Sequence, residues 1–168
     1  MDNFLIAVLV RNQFGVLNRV TSMFRRRQFN INTLTVSETE TAQYSRITVL
    51  FEGDLRSKNQ LVDQLYKLPD VVSIKEFTPD KTVSAELLLI KMENNPKTRD
   101  DIRAAADAYH ATTVDYTRDS LVMQLTAESR RIDDFINLMR DYTILEICRT
   151  GIVSLERGGE TIEKITNL

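Results

Sequence analysis

The rhythm of apolar and polar positions changes several times over the first 80 residues. Residues 4–10 form an unbroken apolar run of strand length, closed by the polar stretch Arg11-Asn12-Gln13-Phe14-Gly15. Val16, Leu17, Val20, Met23 and Phe24 then fall at helical spacing, with Asn18, Arg19, Arg25 and Arg26 on the other face, which predicts an amphipathic helix from near Gly15 to near Gln28. Residues 30–37 alternate Ile31, Thr33, Thr35 and Ser37 against Asn32, Leu34 and Val36. A polar turn at 38–43 and a further strand at 45–51 make this a hairpin. Leu61, Val62, Leu65 and Leu68 repeat as a second helix, Pro69-Asp70 breaks it, and residues 71–77 form a fourth strand before Pro79. The order is βαββαβ.

After the polar residues 78–82 the same order restarts, although the letters do not repeat. A strand at 83–92 and a loop at 93–97 precede a helical stripe of Ile102, Ala105, Ala106 and Tyr109. Strands at 112–116 and 121–126 flank the turn Thr117-Arg118-Asp119-Ser120. Ile132, Phe135, Ile136 and Met139 mark a further helix, and residues 144–155 a last strand that Gly151 bends or bulges. Residues 157–168 read as a mobile tail. The expected class is therefore α+β: two ferredoxin-like βαββαβ domains, at 1–79 and 80–168, each an antiparallel sheet with helices on one face. Such small halves leave one sheet face uncovered, so pairing is expected between halves, between copies or with a partner, and a homodimer is the expectation here.

Composition narrows the function classes. Of 168 residues, 42% are hydrophobic and 27% charged, a globular composition, while 22 Lys and Arg against 24 Asp and Glu lack the basic excess that nucleic acid demands. No apolar run is long enough to cross a bilayer and no charged leader opens the chain, which reads as cytoplasmic with no membrane partner. The single cysteine and single histidine exclude an intramolecular disulfide and a Cys/His zinc cluster. Cys148, beside the apolar stretch 144–147, is expected to be a buried small side chain, and His110 to be the C-terminal residue of a helix. Asp100-Asp101 and Asp133-Asp134 open or line helices, where acidic residues stabilise the first turn or face water. Arg25-Arg26-Arg27 complements a helix dipole, and no helix-turn-helix segment accompanies it. Glycine-rich dinucleotide or phosphate loops and metal-spaced histidines are missing from the sequence.

The most informative segment is 11–17, where a strand runs into a helix whose first amides have no intrahelical partner. A carboxylate there gains those N–H groups and the helix dipole, and Gly15 lets the backbone approach closely. Asn12 and Asn30 carry amide groups that can bond both the ammonium and the carboxylate of an amino acid. The same residues also serve as helix caps and turn residues, so the pattern alone leaves both readings open.

Asn12-x-x-Gly15-x-Leu17-x-Arg19-Val20, followed by Phe29-Asn30-Ile31-x-x-Leu34-Thr35-Val36 and Ser45-Arg46-x-Thr48, resembles the ACT domain of acetolactate synthase small subunits. The similarity continues through Leu65-x-Lys67-Leu68-x-Asp70-Val71 and, more loosely, through Glu86-Leu87-x-Leu89-x-Lys91 to Arg149-x-Gly151. The resemblance implies a non-catalytic regulatory subunit that activates a separate catalytic subunit and confers feedback inhibition in branched-chain amino acid biosynthesis. It implies a homodimer through ACT sheets, with valine, or else leucine or isoleucine, bound at the seam. Asn12, Gly15 and Asn30 match the family's effector positions, and Gln13, Phe14, Val16, Leu17 and Ile31 adjoin them. No intrinsic cofactor is implied; thiamine diphosphate, magnesium and FAD would belong to the catalytic subunit. Two departures stand out: Gln28 replaces the glycine usual before the aromatic-Asn pair, and Phe14 is bulkier than the usual residue. An ACT module serving another client enzyme is the alternative. An acylphosphatase-like enzyme, suggested by Arg11, Arg19 and Asn30, is disfavoured because a phosphate cradle needs several inward N–H groups and the loop holds one glycine.

Overall fold

The apolar run that opens the chain becomes β1 (Asp2–Arg11), an inner strand of a four-stranded antiparallel sheet with β2 (Ile31–Glu38), β3 (Tyr44–Gly53) and β4 (Val71–Glu76) in the order β2-β3-β1-β4. The computed structural model describes residues 2–162. Phe4 of β1 lies opposite Phe51 of β3 and Arg11 opposite Tyr44, while Ile31 of β2 also pairs with Phe51. Alternation sends Ile6, Val8 and Val10 to one face with Ile47, Val49 and Phe51. There they meet Val16, Val20 and Phe24 of α1 (Val16–Arg26) and Leu61 and Leu65 of α2 (Leu55–Leu65) in one buried cluster. Each such side chain contributes about 1.5–3 kcal/mol on burial, so the two helices are held by packing more than by propensity.

The helix ends follow local chemistry. Helix α2 begins earlier than its apolar stripe suggests, because Asp54 caps it, accepting from the Ser57 amide at 2.9 Å and the Ser57 hydroxyl at 2.7 Å. Helix α1 ends in a Schellman arrangement: Phe29 N–H donates to Phe24 O at 3.0 Å and Gln28 N–H to Arg25 O at 3.1 Å. Gln28 adopts the left-handed conformation, φ 58°, that glycine usually supplies. The Phe24 and Phe29 rings meet edge to face at 6.5 Å, the apolar contact that completes the motif. Gln28 in place of glycine thus leaves the helix termination intact.

The second unit repeats the order with β5 (Thr82–Glu93), α3 (Arg99–Tyr109), β6 (Thr112–Tyr116), β7 (Ser120–Ala127), α4 (Ser129–Met139) and β8 (Ile144–Arg149), its strands ordered β6-β7-β5-β8. Leu88, Ile90, Met92, Leu121, Met123 and Leu125 pack against Ile102 and Ala106 of α3 and Ile132, Phe135, Ile136 and Met139 of α4. Glu86, 1% exposed as a side chain, takes both of its bonds from Arg149, at 2.9 and 2.7 Å, and Arg149 also reaches Asp133 at 2.7 Å, fastening β8 to β5 and α4. The protein is thus two ferredoxin-like βαββαβ units, as the pattern predicts.

Two expectations are corrected. The single last strand is two, because Gly151 at φ 83° turns the chain between β8 and β9 (Val153–Glu156), which pairs with β5. Cys148 is exposed: opposite Leu89 on an edge strand, it points to the face without helices. The described residues form two compact units, 2–84 with 152–162, and 85–151. Of the segment read as a mobile tail, residues 157–162 are described, with Arg157 N–H bonded to Lys81 O at 2.7 Å, and residues 163–168 lie outside the described residues. A 3₁₀ turn at Pro79–Lys81, unannounced by periodicity, precedes β5. His110 does end α3, in the left-handed conformation at φ 60°.

Candidate functional site

Residues 12–17 form the connection from β1 to α1, and its shape is set from three sides. Asn12 N–H donates to Gln43 O at 2.7 Å, and the Asn12 side-chain NH2 donates to Glu38 Oε1 and Ala42 O, both at 3.0 Å, tying the loop to the β2–β3 turn. Arg11 N–H donates to Asp70 O at 2.8 Å. The buried Asp70 carboxylate receives Arg19 Nη2 at 2.7 Å and Nε at 3.0 Å, which fixes the first turns of α1 against the start of β4. Gln13 N–H returns to Arg11 O at 2.9 Å, and Gly15 takes φ 80°, a left-handed conformation that L side chains resist.

This geometry leaves the helix start open. Gly15 provides no side-chain cap and the first turn of α1 holds no acidic residue, in contrast to α2 with Asp54 and α3 with Asp100 and Asp101. Val16 N–H reaches Gln13 O at 3.3 Å and the first full helical bond runs from Arg19 N–H to Gly15 O, so the Leu17 and Asn18 amides face outward with the positive end of the helix dipole. A small anion fits such a place. Phe14 is fully exposed at the loop tip and Leu17 is 41% exposed, so apolar surface adjoins these donors.

Asn30 and Ile31 are not brought to this loop. Ile31 opens β2 with Asn30 just before it, and Ile31 lies across β3 from Phe4, seven positions along β1 from Arg11. At about 3.3 Å per residue that separation is roughly 20 Å. At the other end of β2, Glu38 is the residue that holds Asn12. Sequence reasoning missed Glu38, Ala42, Gln43 and Asp70 as braces of the loop. Asp70 alone carried a signal, as part of the matched Leu68-x-Asp70-Val71 stretch, while the others act through a turn whose pairing only the folded sheet reveals.

A four-stranded sheet with two helices on one face, opening α1 on an uncapped, glycine-led loop, defines an ACT-type module, here followed by a second unit of the same topology. Residues 6–73 match the model of the AHAS small subunit-like ACT domain and residues 85–158 that of the small subunit of acetolactate synthase. The chain is 42% identical to the probable acetolactate synthase small subunit of Archaeoglobus fulgidus over 155 residues, covering 92% of this chain and 97% of the relative. It is 43% identical to the acetolactate synthase small subunit of Bacillus subtilis over 156 residues, covering 92% and 90%. The crystal structure of the Thermotoga maritima acetolactate synthase small subunit superposes with a TM-score of 0.88 at 31% identity, over 95% of this chain and all of that one. The chain belongs to the acetolactate synthase small-subunit family.

Proposed function

We propose that this chain is the regulatory subunit of an acetolactate synthase, and that it binds a branched-chain amino acid, valine first among them, between two copies of its first unit. The observation that carries this reading is the placement of the two halves of the site at opposite ends of one edge strand. Strand β2 lies at the sheet edge, and Leu34 and Val36 on it are 37% and 41% exposed. Edge strands of this kind invite pairing. Two β2 strands paired antiparallel about a two-fold axis set Ile31 of one copy beside Glu38 of the other, and so carry Asn30 and Ile31 to the second copy's loop 12–17. Within a single chain they stay apart.

In that arrangement the amides of Leu17 and Asn18 receive the ligand carboxylate, the Asn30 side chain of the second copy bonds its polar groups, and Leu17, Phe14 and Ile31 line the space for its aliphatic side chain. The magnitudes require both chains. A helix start contributes about 0.3–2 kcal/mol to an anion and burial of a valine side chain about 1.5–3 kcal/mol, short of the roughly 8 kcal/mol that micromolar binding needs. Because the ligand favours one arrangement of the pair, it shifts the sheet geometry that a catalytic subunit reads. Thiamine diphosphate, magnesium and FAD would reside on that catalytic subunit.

The test is reconstitution with the catalytic subunit. Gly15→Asp forces a side chain into the left-handed conformation and adds a like charge at the carboxylate position, and Asn30→Ala removes a bond to a charged ligand worth about 1.5–3 kcal/mol. Both variants are expected to activate catalysis as the parent does, while raising the valine needed for half inhibition by at least about tenfold. Unchanged inhibition in both would place the site elsewhere.

A further inference from the structure

Once β8 ends, the chain turns at Gly151 and runs as β9 and residues 157–162 along the helix-free face of the first unit's sheet. Its attachment there is polar. Arg46 of β3, whose guanidinium lies 5.7 Å from the Phe77 ring centre, donates to Ser154 O. Ser154, 4% exposed, shares a hydroxyl bond with Ser84 at 2.7 Å. Lys75 of β4 pairs with Glu156 and lies 3.9 Å from Glu160. The apolar side chains of the strand take little part: Val153 and Leu155 remain 47% and 63% exposed. A cavity of about 480 Å³ lies beneath this segment, bordered by Arg46, Lys75, Phe77, Leu155 and Glu156.

A four-residue strand paired to β5 and otherwise held by an ion pair and single hydrogen bonds opens more readily than one anchored by buried apolar side chains. We propose that residues 152–162 are a releasable strap, clasped through Lys75 and Glu156, that occupies the helix-free face of the first unit's sheet and keeps that face from stacking on a second copy. The face is then a docking surface for the chain's own C-terminal segment, and self-association through the β2 edge is left free. Glu156 also holds the Lys75 ammonium above its ordinary range, as a direct charge-assisted bond does.

Amide hydrogen exchange on the full chain, followed by NMR, tests this, with the Arg157 N–H as reporter because it is donated to Lys81 O across the strap. Lys75→Glu is expected to speed exchange at β9 and Arg157 by about tenfold or more while β1 and β3 amides keep their rates. Lys75→Glu combined with Glu156→Lys restores the slow rate. Sedimentation of Lys75→Glu is expected to show association beyond the parent's state. Parent strap amides that exchange only as slowly as β1, rates unmoved by Lys75→Glu, a single variant that speeds β1 and β3 equally, or faster strap exchange with unchanged association would each overturn the proposal.

Discussion

Single residues decide the backbone at the end of α1 and the surface at the tip of the β1–α1 loop. Gln28 takes the left-handed conformation at the end of α1 that glycine normally holds, with both Schellman bonds made. A non-glycine residue there costs about 1–2 kcal/mol, and glycine returns some 0.4–1 kcal/mol of that through its freer unfolded chain. Gln28→Gly is therefore expected to stabilise the protein by about 0.5–1 kcal/mol in chemical denaturation; a destabilised variant would mean that the glutamine side chain makes a contribution larger than the strain. Phe14, fully exposed at the loop tip, follows opposite logic. Nothing in one chain shelters it. Cys148 shows why the linear pattern misleads at the residue scale: an apolar neighbourhood in sequence says nothing about which face of an edge strand a side chain takes.

Elements were legible where their apolar period is strong. Ile6, Val8 and Val10 on β1 and Val20 and Phe24 on α1 announce both the element and the face it buries. Boundaries set by polar chemistry were not: α2 starts at Leu55 through the Asp54 cap, in a stretch with no apolar repeat, and the division of β8 from β9 rests on the backbone of Gly151. The Asp54 cap has a pH signature. Bonds from the Ser57 amide and hydroxyl hold its carboxyl below the usual 3.8. A group with a depressed folded value adds stability that is present above the unfolded value and is lost as pH falls through the folded one. Asp54→Ala is expected to lower Tm at pH 7 and to lose part of the fall in Tm that the parent shows below pH 3.8; equal falls in both proteins would remove the cap from the account.

At the scale of the whole molecule, the repeat of βαββαβ was readable because each half carries a complete set of strand and helix periods. The candidate site was half readable. The loop 12–17 is a contiguous motif, whereas its bracing by Glu38, Gln43 and Asp70 and its distance from Asn30 depend on strand register, which periodicity does not specify. That distance shapes the proposal, since an amino acid that touches both the loop and Asn30 would need a second chain. The most direct measurement is a calorimetric titration of valine into the purified chain, with leucine and isoleucine as comparators. The account predicts saturable binding, strongest for valine, with one or two ligands per dimer and affinity that falls as the protein is diluted below its dimer range. No heat from any of the three, or binding indifferent to protein concentration, would contradict a shared site.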